Sequence, residues 1–535
     1  MTSAEAKLET FLEELKTTAN IQTLYRRWGI NYGWMAMFTI VLANVAALMT
    51  GTIINVAIPD IMGAFGIGQV KAQWLATSFL AASTVTMLMN SWMIQAIGVR
   101  MTVIAAMSAF MAGSVLGGIS PSVDMLIAAR ILQGAATGII TPMSMSMVFA
   151  LFPPGRQGTV MGVTSIGVVL APAFGPVLGG YLIDTLNWRY IYLLGIPVSM
   201  IVVPCASIFL PAREPDTVTP PFDWPGLILV SVAISSLLIA LSNGQREGWD
   251  SNTILSWFAS AGIASVGFIW REAHTPHPLL ELKVFTYYRF AMVTLLAFIF
   301  GAGLYATTYL VPLFLQIVQG MSATDSGLMM LPAAFVMGAC FPISGRLADR
   351  IDQRLLISAG FMVVAYSCLL MARADPNTGW WTFAGWVVIS RIGIGLMAPV
   401  INLAAIQGLP MQYLQQGAGA ANFIRQMGGA FGVNLVAVAL DYRTSFHRDV
   451  MFNTQSYDHS DTFAMIAELQ RSLNGAGLSF WEQQHVSYSM LGEMIARQAY
   501  VLGFQDCFLI LTVVFLATLI PIGLLRSKHM RTSYT

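Results

Sequence analysis

Three arginines stand inside long apolar stretches of this sequence: Arg130, Arg391 and Arg425. A charged side chain so placed is expected to face the interior of a helical bundle, since hydrocarbon solvates it poorly. No Asp or Glu lies deep in any of these stretches, and Asp506 lies toward one end of the last. Because a guanidinium binds carboxylates through paired N–H donors, the missing counter-charge favours an anionic ligand. In the alternative, backbone carbonyls and neighbours such as Gln133 satisfy each arginine.

The elements that must position these arginines are long apolar helices. Of 535 residues, 56% are hydrophobic and only 10% are charged, against about 25% charged in soluble proteins. A bilayer core takes roughly 20 helical residues, so we predict an all-α polytopic membrane protein with fourteen spans. Their predicted bounds are 33–57, 73–95, 101–119, 124–150, 158–182, 191–210, 225–242, 254–271, 290–318, 324–344, 355–372, 380–402, 416–440 and 501–525.

Charge distribution predicts which way the chain crosses the membrane. The short loops on one side hold only Lys71, Arg189, Arg246 and Arg373, so the other side, with both termini, is expected to be cytoplasmic. The net charge of +1 gives no indication of a nucleic-acid partner. The four cysteines lie far apart in apolar segments and are expected to be packing thiols. The six histidines lie outside the predicted spans, which argues against an intramembrane histidine relay or a metal site, and no cofactor is expected.

Three motifs, in order, resemble those of one transporter family. They are Arg130-x-x-Gln133-Gly134, the run Ala171-Pro172-Ala173-Phe174-Gly175-Pro176-x-x-Gly179-Gly180, and Asn187-Trp188-Arg189-Tyr190-Ile191. Together they resemble the major facilitator superfamily and its fourteen-spanner drug/proton antiporters of the EmrB/QacA type. The resemblance implies the major facilitator fold, with helices arranged 6+2+6.

An internal repeat supports that division. Arg130, Gly134 and Pro142 are matched by Arg391, Gly395 and Pro399, and Ala173-Phe174-Gly175 recurs as Ala430-Phe431-Gly432. Related halves that meet at a central site are the usual plan of secondary transporters. The predicted divisions are an amphipathic cytoplasmic helix in 1–32, a six-helix bundle 33–210, a linker with two inserted helices 211–289, a second bundle 290–525 containing a periplasmic loop 441–500, and a cytoplasmic tail 526–535.

Two motifs are expected to act in conformational change. In the fifth span, small residues and prolines allow close helix contact and bending: Gly167, Pro172, Gly175, Pro176, Gly179 and Gly180. A cytoplasmic loop carries Gly345, Asp349, Arg350 and Arg354, which resemble the superfamily's loop motif and predict a latch between a carboxylate and a helix end. The alternative is ordinary positive charge on the cytoplasmic side. The matching loop of the first half is degenerate, with Gln95 where family members often have Asp.

A departure in the first span affects energy coupling. Thr50 stands where family members commonly carry an Asp assigned to proton coupling, so Asp506 becomes the first coupling candidate, beside Arg130, Arg391 and Arg425.

Polar side chains inside the spans are candidates for a substrate cavity, although such groups just as often bond across helix contacts. The cavity candidates are Asn44, Thr50, Asn55, Gln133, Tyr305, Tyr309, Gln316, Asn422 and Gln426.

These features predict a proton-driven exporter of hydrophobic, anionic or weakly acidic compounds in a bacterial inner membrane, with protons and membrane lipid as further partners. The alternatives are an uncoupled or differently coupled carrier of an endogenous metabolite or lipid and, remotely, a polytopic membrane enzyme, for which no nucleophile or metal motif is seen. Resemblance to EmrB-type pumps implies a periplasmic adaptor and an outer-membrane channel. Loop 441–500 is either a cap over the outer mouth or the docking surface for that adaptor.

Overall fold

The computed structural model describes residues 19–67, 69–153, 155–213, 219, 221–454, 460–473 and 479–525. The chain is α-helical across these residues, with two short 3₁₀ turns and no β-strand among them. The amphipathic helix predicted within 1–32 falls largely on residues 1–18, outside the described residues, as does the tail 526–535. Within 1–32, the described part of the chain contains a helix over Ala19–Trp28.

The first lobe is built by the helices up to residue 209. They are α1 (Ala19–Trp28), α2 (Tyr32–Phe65), α3 (Gln69–Gly118), α4 (Val123–Ile140), α5 (Met143–Leu151), α6 (Gln157–Thr185), α7 (Tyr190–Leu193) and α8 (Gly195–Phe209). Helix α3 holds two predicted spans joined at Gly98, whose positive φ of 79° interrupts the helical geometry. The predicted fourth span is divided into α4 and α5 at Pro142, because proline cannot donate the next helical hydrogen bond.

A helical hairpin and the second lobe follow. The hairpin, hereafter the inserted hairpin, is α9 (Trp224–Glu247) and α10 (Asn252–His274). The second lobe is α11 (Tyr288–Ile317), α12 (Ala323–Ala348), α13 (Gln353–Met371), α14 (Trp380–Gln407), α15 (Leu414–Thr454), α16 (Ser460–Ser472), α17 (Phe480–Ala517) and α18 (Leu519–Leu524).

Twelve stretches among the described residues are long and apolar enough to cross a membrane. One of them, Trp74–Gly118, contains the break at Gly98, and α6 is not among the twelve. The chain is therefore a multi-pass membrane protein, and the number of fourteen spans stays a prediction.

Helix contacts repeat between the lobes. Helix α2 packs on α6 in the first lobe as α11 packs on α15 in the second, and the lobes meet chiefly along α6–α12 and α3–α15. The inserted hairpin packs against the α3–α15 seam through α9. Hydrogen bonds link Asn20 to the Ala212 carbonyl and Tyr288 to the Leu524 carbonyl, so the two ends of each lobe lie together. Bonds from Tyr25 to Leu151, from Gly158 to Asp349 and from Arg354 to Leu525 join these ends into one face, hereafter the inner face.

The segment 441–500, predicted as a loop, contains helix. Helix α15 continues from the bundle as far as Thr454, α16 covers Ser460–Ser472 and α17 begins at Phe480. Helix therefore extends beyond the predicted span bounds 416–440 and 501–525, because hydropathy locates the end of the apolar part and not the end of helical hydrogen bonding. We call the part beyond those bounds the outer extension.

Glycines set the distance between α3 and α4. A side chain on Gly134 would collide with the Phe79 carbonyl, and one on Gly138 with the Ser83 carbonyl. The repeat of glycine every four residues therefore places two helix backbones in direct contact, which fixes the position of Arg130 one turn away.

We predict that Gly134→Ala destabilises the protein by about 1–3 kcal/mol, because the added methyl group overpacks the α3–α4 contact. Thermal unfolding of the purified protein in detergent measures the effect. Gly180→Ala is the matched control, since no atom lies within 4 Å of its added Cβ. Equal melting temperatures for the two variants would contradict the role of Gly134.

Candidate functional site

Arg130 is held in the interior of the first lobe with 1% of its surface exposed. Its Nε donates to the Leu75 carbonyl at 3.0 Å, and its Nη1 donates to the Thr50 carbonyl at 3.1 Å and to Gln133 Oε1 at 3.2 Å. The guanidinium carbon lies 4.1 Å from the centre of the Phe79 ring, a cation–π distance. Its Nη2 has no hydrogen-bond partner among the described residues. Carbonyls thus satisfy part of Arg130 and leave one donor free.

Two residues predicted for the cavity contact Arg130. The Thr50 carbonyl accepts from Arg130, and the Thr50 hydroxyl donates to the Ala46 carbonyl of its own helix at 2.9 Å. Gln133 accepts from Arg130 and donates to Ser114 Oγ at 3.0 Å. Both are buried, and in this structure they support the arginine.

Arg391 occupies the corresponding place in the second lobe, with 5% of its surface exposed. Its Nη2 donates to Thr308 Oγ1 at 3.2 Å, so each lobe joins an arginine to a threonine of its first long helix. Arg425 on α15 is less buried, and its Nη2 donates to Asn422 Oδ1 at 2.7 Å. Within the described residues, none of Arg130, Arg391 and Arg425 has a carboxylate within salt-bridge distance.

Asp349 joins the lobes at the inner face. Its Oδ1 accepts from the Gly158 N–H at 2.9 Å, and its Oδ2 accepts from the Thr159 N–H and hydroxyl, both at 2.9 Å. Gly158 and Thr159 are in the first turn of α6, where unpaired N–H groups and the helix dipole favour an anion. Gly345 lies directly against Gly158, which brings Asp349 within reach. A carboxylate of one lobe thus caps a helix of the other.

The neighbouring arginines of that loop act within the second lobe. Arg354 donates to Asp352 Oδ2 at 3.2 Å and to the Leu525 carbonyl. Partial burial raises the pKa of Asp352, but hydrogen bonds from Arg354 outweigh it and hold that pKa below its ordinary value. For Arg350 a backbone hydrogen bond to the Leu347 carbonyl is observed. At the degenerate first-half loop, Gln95 donates to Ser91 Oγ at 3.2 Å and lines an inner-face cavity of about 300 Å³.

Asp506 is part of an ionic cluster that links α15 to α17 near the outer extension. Its Oδ2 contacts Arg443 Nε and His447 Nε2, each at 2.6 Å. Sequence reasoning placed Arg443 and His447 in a loop and so missed this cluster. The spacing of Arg443 and His447 indicates that they share a helix face, since residues four apart on a helix lie on the same side. That spacing is informative only if α15 continues beyond residue 440.

A cavity of about 230 Å³ lies between the lobes and contains part of the predicted set. Tyr305 and Gln426 line it, together with Asn434. Asn44 donates to Ser144 Oγ at 2.8 Å, and Asn422 donates to the Ala418 carbonyl at 2.9 Å; these two, with Thr50, Gln133, Tyr309 and Gln316, are not among its lining residues. The side chain of Asn55 lies outside the described residues.

Comparison with known proteins decides the family. The sequence model of the Major Facilitator Superfamily matches residues 40–433. The chain belongs to the Major Facilitator Superfamily. It is 28% identical over 487 residues to the multidrug export protein EmrB of Haemophilus influenzae, covering 90% of this chain and 93% of EmrB. It is 29% identical over 512 residues to the fatty acid resistance protein FarB of Neisseria gonorrhoeae, covering 92% and 96%.

A solved structure agrees on the fold. The human organic anion transporter MFSD10 superposes with a TM-score of 0.58 at 12% identity, covering 92% of this chain and 99% of that one. At that identity the likeness concerns the fold alone. The predicted major facilitator fold and the resemblance to drug-resistance members of the superfamily are thereby confirmed, and the chain is a membrane transporter.

The fifth-span motif of this facilitator packs α6 against α2. Gly175 meets Thr52, Gly179 meets the Ile53 side chain and Gly167 meets Val41, whereas Gly180 has open space beside it. The side chains of Pro172 and Pro176 lie outside the described residues. Three of the predicted glycines therefore stand at one helix contact, where any side chain would separate α6 from α2.

We predict that Asp349→Ala weakens closure of the inner face, because α6 loses three hydrogen bonds to a carboxylate. Loss of about 2 kcal/mol would change the ratio of closed to open forms roughly 30-fold. The readout is labelling of Ala348→Cys, a position with 6% exposure next to Asp349 on α12, in a background without native cysteines. Asp250→Asn, on an exposed loop, is the control, and equal labelling rates would refute the latch.

Proposed function

We propose that this facilitator exports hydrophobic, anionic or weakly acidic amphipaths from the bacterial cytoplasm in exchange for protons. The observation that carries the proposal is the set of guanidiniums at Arg130, Arg391 and Arg425, the first two buried and the third partly buried, none with a carboxylate partner in the described part of the chain. Buried charges normally require an opposite charge. An anionic substrate supplies one, whereas a lipophilic cation meets an unfavourable field.

The relatives support the substrate class in general terms. EmrB is a multidrug export protein and FarB a fatty acid resistance protein, and a fatty acid is an anionic amphipath. Similarity extends over about nine-tenths of the chain in both cases. We infer that the present substrate has the same two parts, an acidic head and an apolar body.

Transport is proposed to occur by alternating access of the two lobes. The inner face is assigned to the cytoplasm on the Lys and Arg distribution, with both termini there and the protein in the inner membrane. The Asp349 bonds to α6 favour a form closed at the inner face. Proton or substrate binding must break them before the substrate can enter from the cytoplasm.

Coupling is proposed to use Asp506. Its contacts with Arg443 and His447 connect two helices of one lobe, so a change of charge there alters the packing of α15 on α17. One proton moving through 100 mV provides about 2.3 kcal/mol, enough for roughly a 40-fold concentration gradient.

A second candidate is a carrier of an endogenous metabolite or lipid with different or no proton coupling. Thr50 favours it, because its hydroxyl is engaged with the Ala46 carbonyl and provides no acid at the family's coupling position. Collapse of the pH gradient separates the candidates: export by an uncoupled carrier would continue.

An adaptor and outer-membrane channel remain part of the proposal. The outer extension exposes Phe463, Phe480 and Trp481, and exposed aromatic residues are typical of protein interfaces. This supports a docking surface over a simple cap for 441–500.

We expect proteoliposomes to export an anionic amphipath in preference to a cationic one of matched size. Accumulation is measured with each compound in turn, with and without a pH gradient of defined direction. Preference for the anion by tenfold or more agrees with the buried guanidiniums. Preference for the cation would exclude the proposed substrate class.

Asp506→Asn is predicted to abolish export driven by a pH gradient, since the cluster can no longer change charge at that oxygen. Substrate exchange across the membrane without a gradient should persist, because the lobes and arginines are untouched. Asp325→Asn is the control, because it alters an exposed carboxylate that, in the described part of the chain, bonds to Ser322 at the start of its own helix. Gradient-driven export by Asp506→Asn at the unmodified rate would remove Asp506 from coupling.

A further inference from the structure

The 230 Å³ cavity, hereafter the side pocket, lies where three parts of the chain meet. Leu80 comes from α3 of the first lobe, Leu238 and Ser242 from α9 of the inserted hairpin, Tyr305 from α11, and Gln426 from α15. No residue that lines it is charged. Such a surface suits a hydrocarbon chain with a few hydrogen-bonding positions, since ligand pockets are mostly apolar with few polar groups.

Two contacts between helices hold the walls of the pocket in place. Gly429 lies against the Tyr305 ring, and any side chain there would collide with it. Gln426 donates to Ser83 Oγ at 3.0 Å, a bond between the two lobes at the pocket's edge. The pocket therefore depends on the relative position of the lobes and must change shape when they move.

A cation lies near this apolar space, since the Arg425 side chain packs against Gly301, one helical turn before the lining residue Tyr305 on α11. Arg425 directly precedes Gln426 on α15, and its guanidinium is bonded to Asn422 with no carboxylate partner in the described residues. An amphipath with its acidic head at Arg425 can direct its tail along α15 toward Gln426 and Gly429. The charge and the apolar surface thus match the two ends of one molecule.

We propose that the side pocket holds the hydrocarbon chain of an anionic amphipath and that α9 forms the wall that selects chain length. This rests on the proposed export of anionic amphipaths and gives the inserted hairpin a part in substrate binding. Leu238 is 3% exposed at the pocket, whereas Val232 on the same helix is 42% exposed. One face of α9 is therefore turned to the pocket and the other away from the protein.

The test is Leu238→Trp, which fills the pocket, with Val232→Trp as the control on the outer face of α9. Inhibition of transport of a shared anionic reporter is measured in proteoliposomes with palmitate and with octanoate. For Leu238→Trp we expect the half-inhibitory concentration of palmitate to rise at least tenfold and that of octanoate to change less than twofold. Val232→Trp should match the unmodified protein for both acids.

Ser242→Phe provides a second obstruction from an exposed lining position, in case Leu238→Trp does not fold. An equal change for both acids, or none for palmitate, would overturn the side pocket while leaving anion export intact. If the unmodified protein transports the reporter but neither acid inhibits it, the side pocket is likewise refuted. Failure to transport any anionic reporter instead removes the proposed function.

Discussion

The burial of guanidinium groups without carboxylates is the constraint on which the rest of the structure depends. Arg130 has 1% exposure, and its donors reach helix carbonyls, one glutamine and the face of Phe79. Such contacts reduce the cost of burial but leave the positive charge uncompensated. The lobes must therefore exclude lipid from these arginines, and close glycine-mediated contact between α3 and α4 does so for Arg130.

The same close contacts make a moving structure possible. Where backbone lies on backbone, as at Gly175 and the Met49 carbonyl or at Gly345 and Gly158, rigid helices can meet without side chains that interlock. Specific bonds then decide which arrangement is favoured. Asp349 supplies them at the inner face by capping α6 across the lobe interface. A contact of this kind is broken as a unit, so it suits a two-state movement better than dispersed packing would.

Much of the fold followed from the sequence, because bilayer thickness and backbone hydrogen bonding leave few solutions for long apolar segments. The lone arginines were identifiable for a similar reason, since a charge inside an apolar segment is costly to bury. The Asp349 loop was identifiable by its spacing of glycine, carboxylate and arginines. Partners were harder to identify. From the sequence, Gln133 and Thr50 could line a cavity or accept hydrogen bonds from Arg130. The structure shows the second arrangement. Arg443 and His447 were missed because hydropathy does not show that a helix continues into water.

The two lobes are related but no longer equivalent, and this asymmetry bears on the direction of movement. The second-lobe loop has Asp349 on the first turn of α6, whereas the first-lobe loop has Gln95, a neutral group bonded to Ser91 beside a cavity that reaches toward the start of α15. A neutral amide cannot supply the charge–dipole attraction that a carboxylate does. Closure at the inner face therefore depends on one strong contact along α6–α12, while the α3–α15 seam is held by weaker bonds such as Gln426 to Ser83. Helix α9 of the inserted hairpin packs against both helices of that seam. It therefore adds contacts where the bonds between the lobes are weaker.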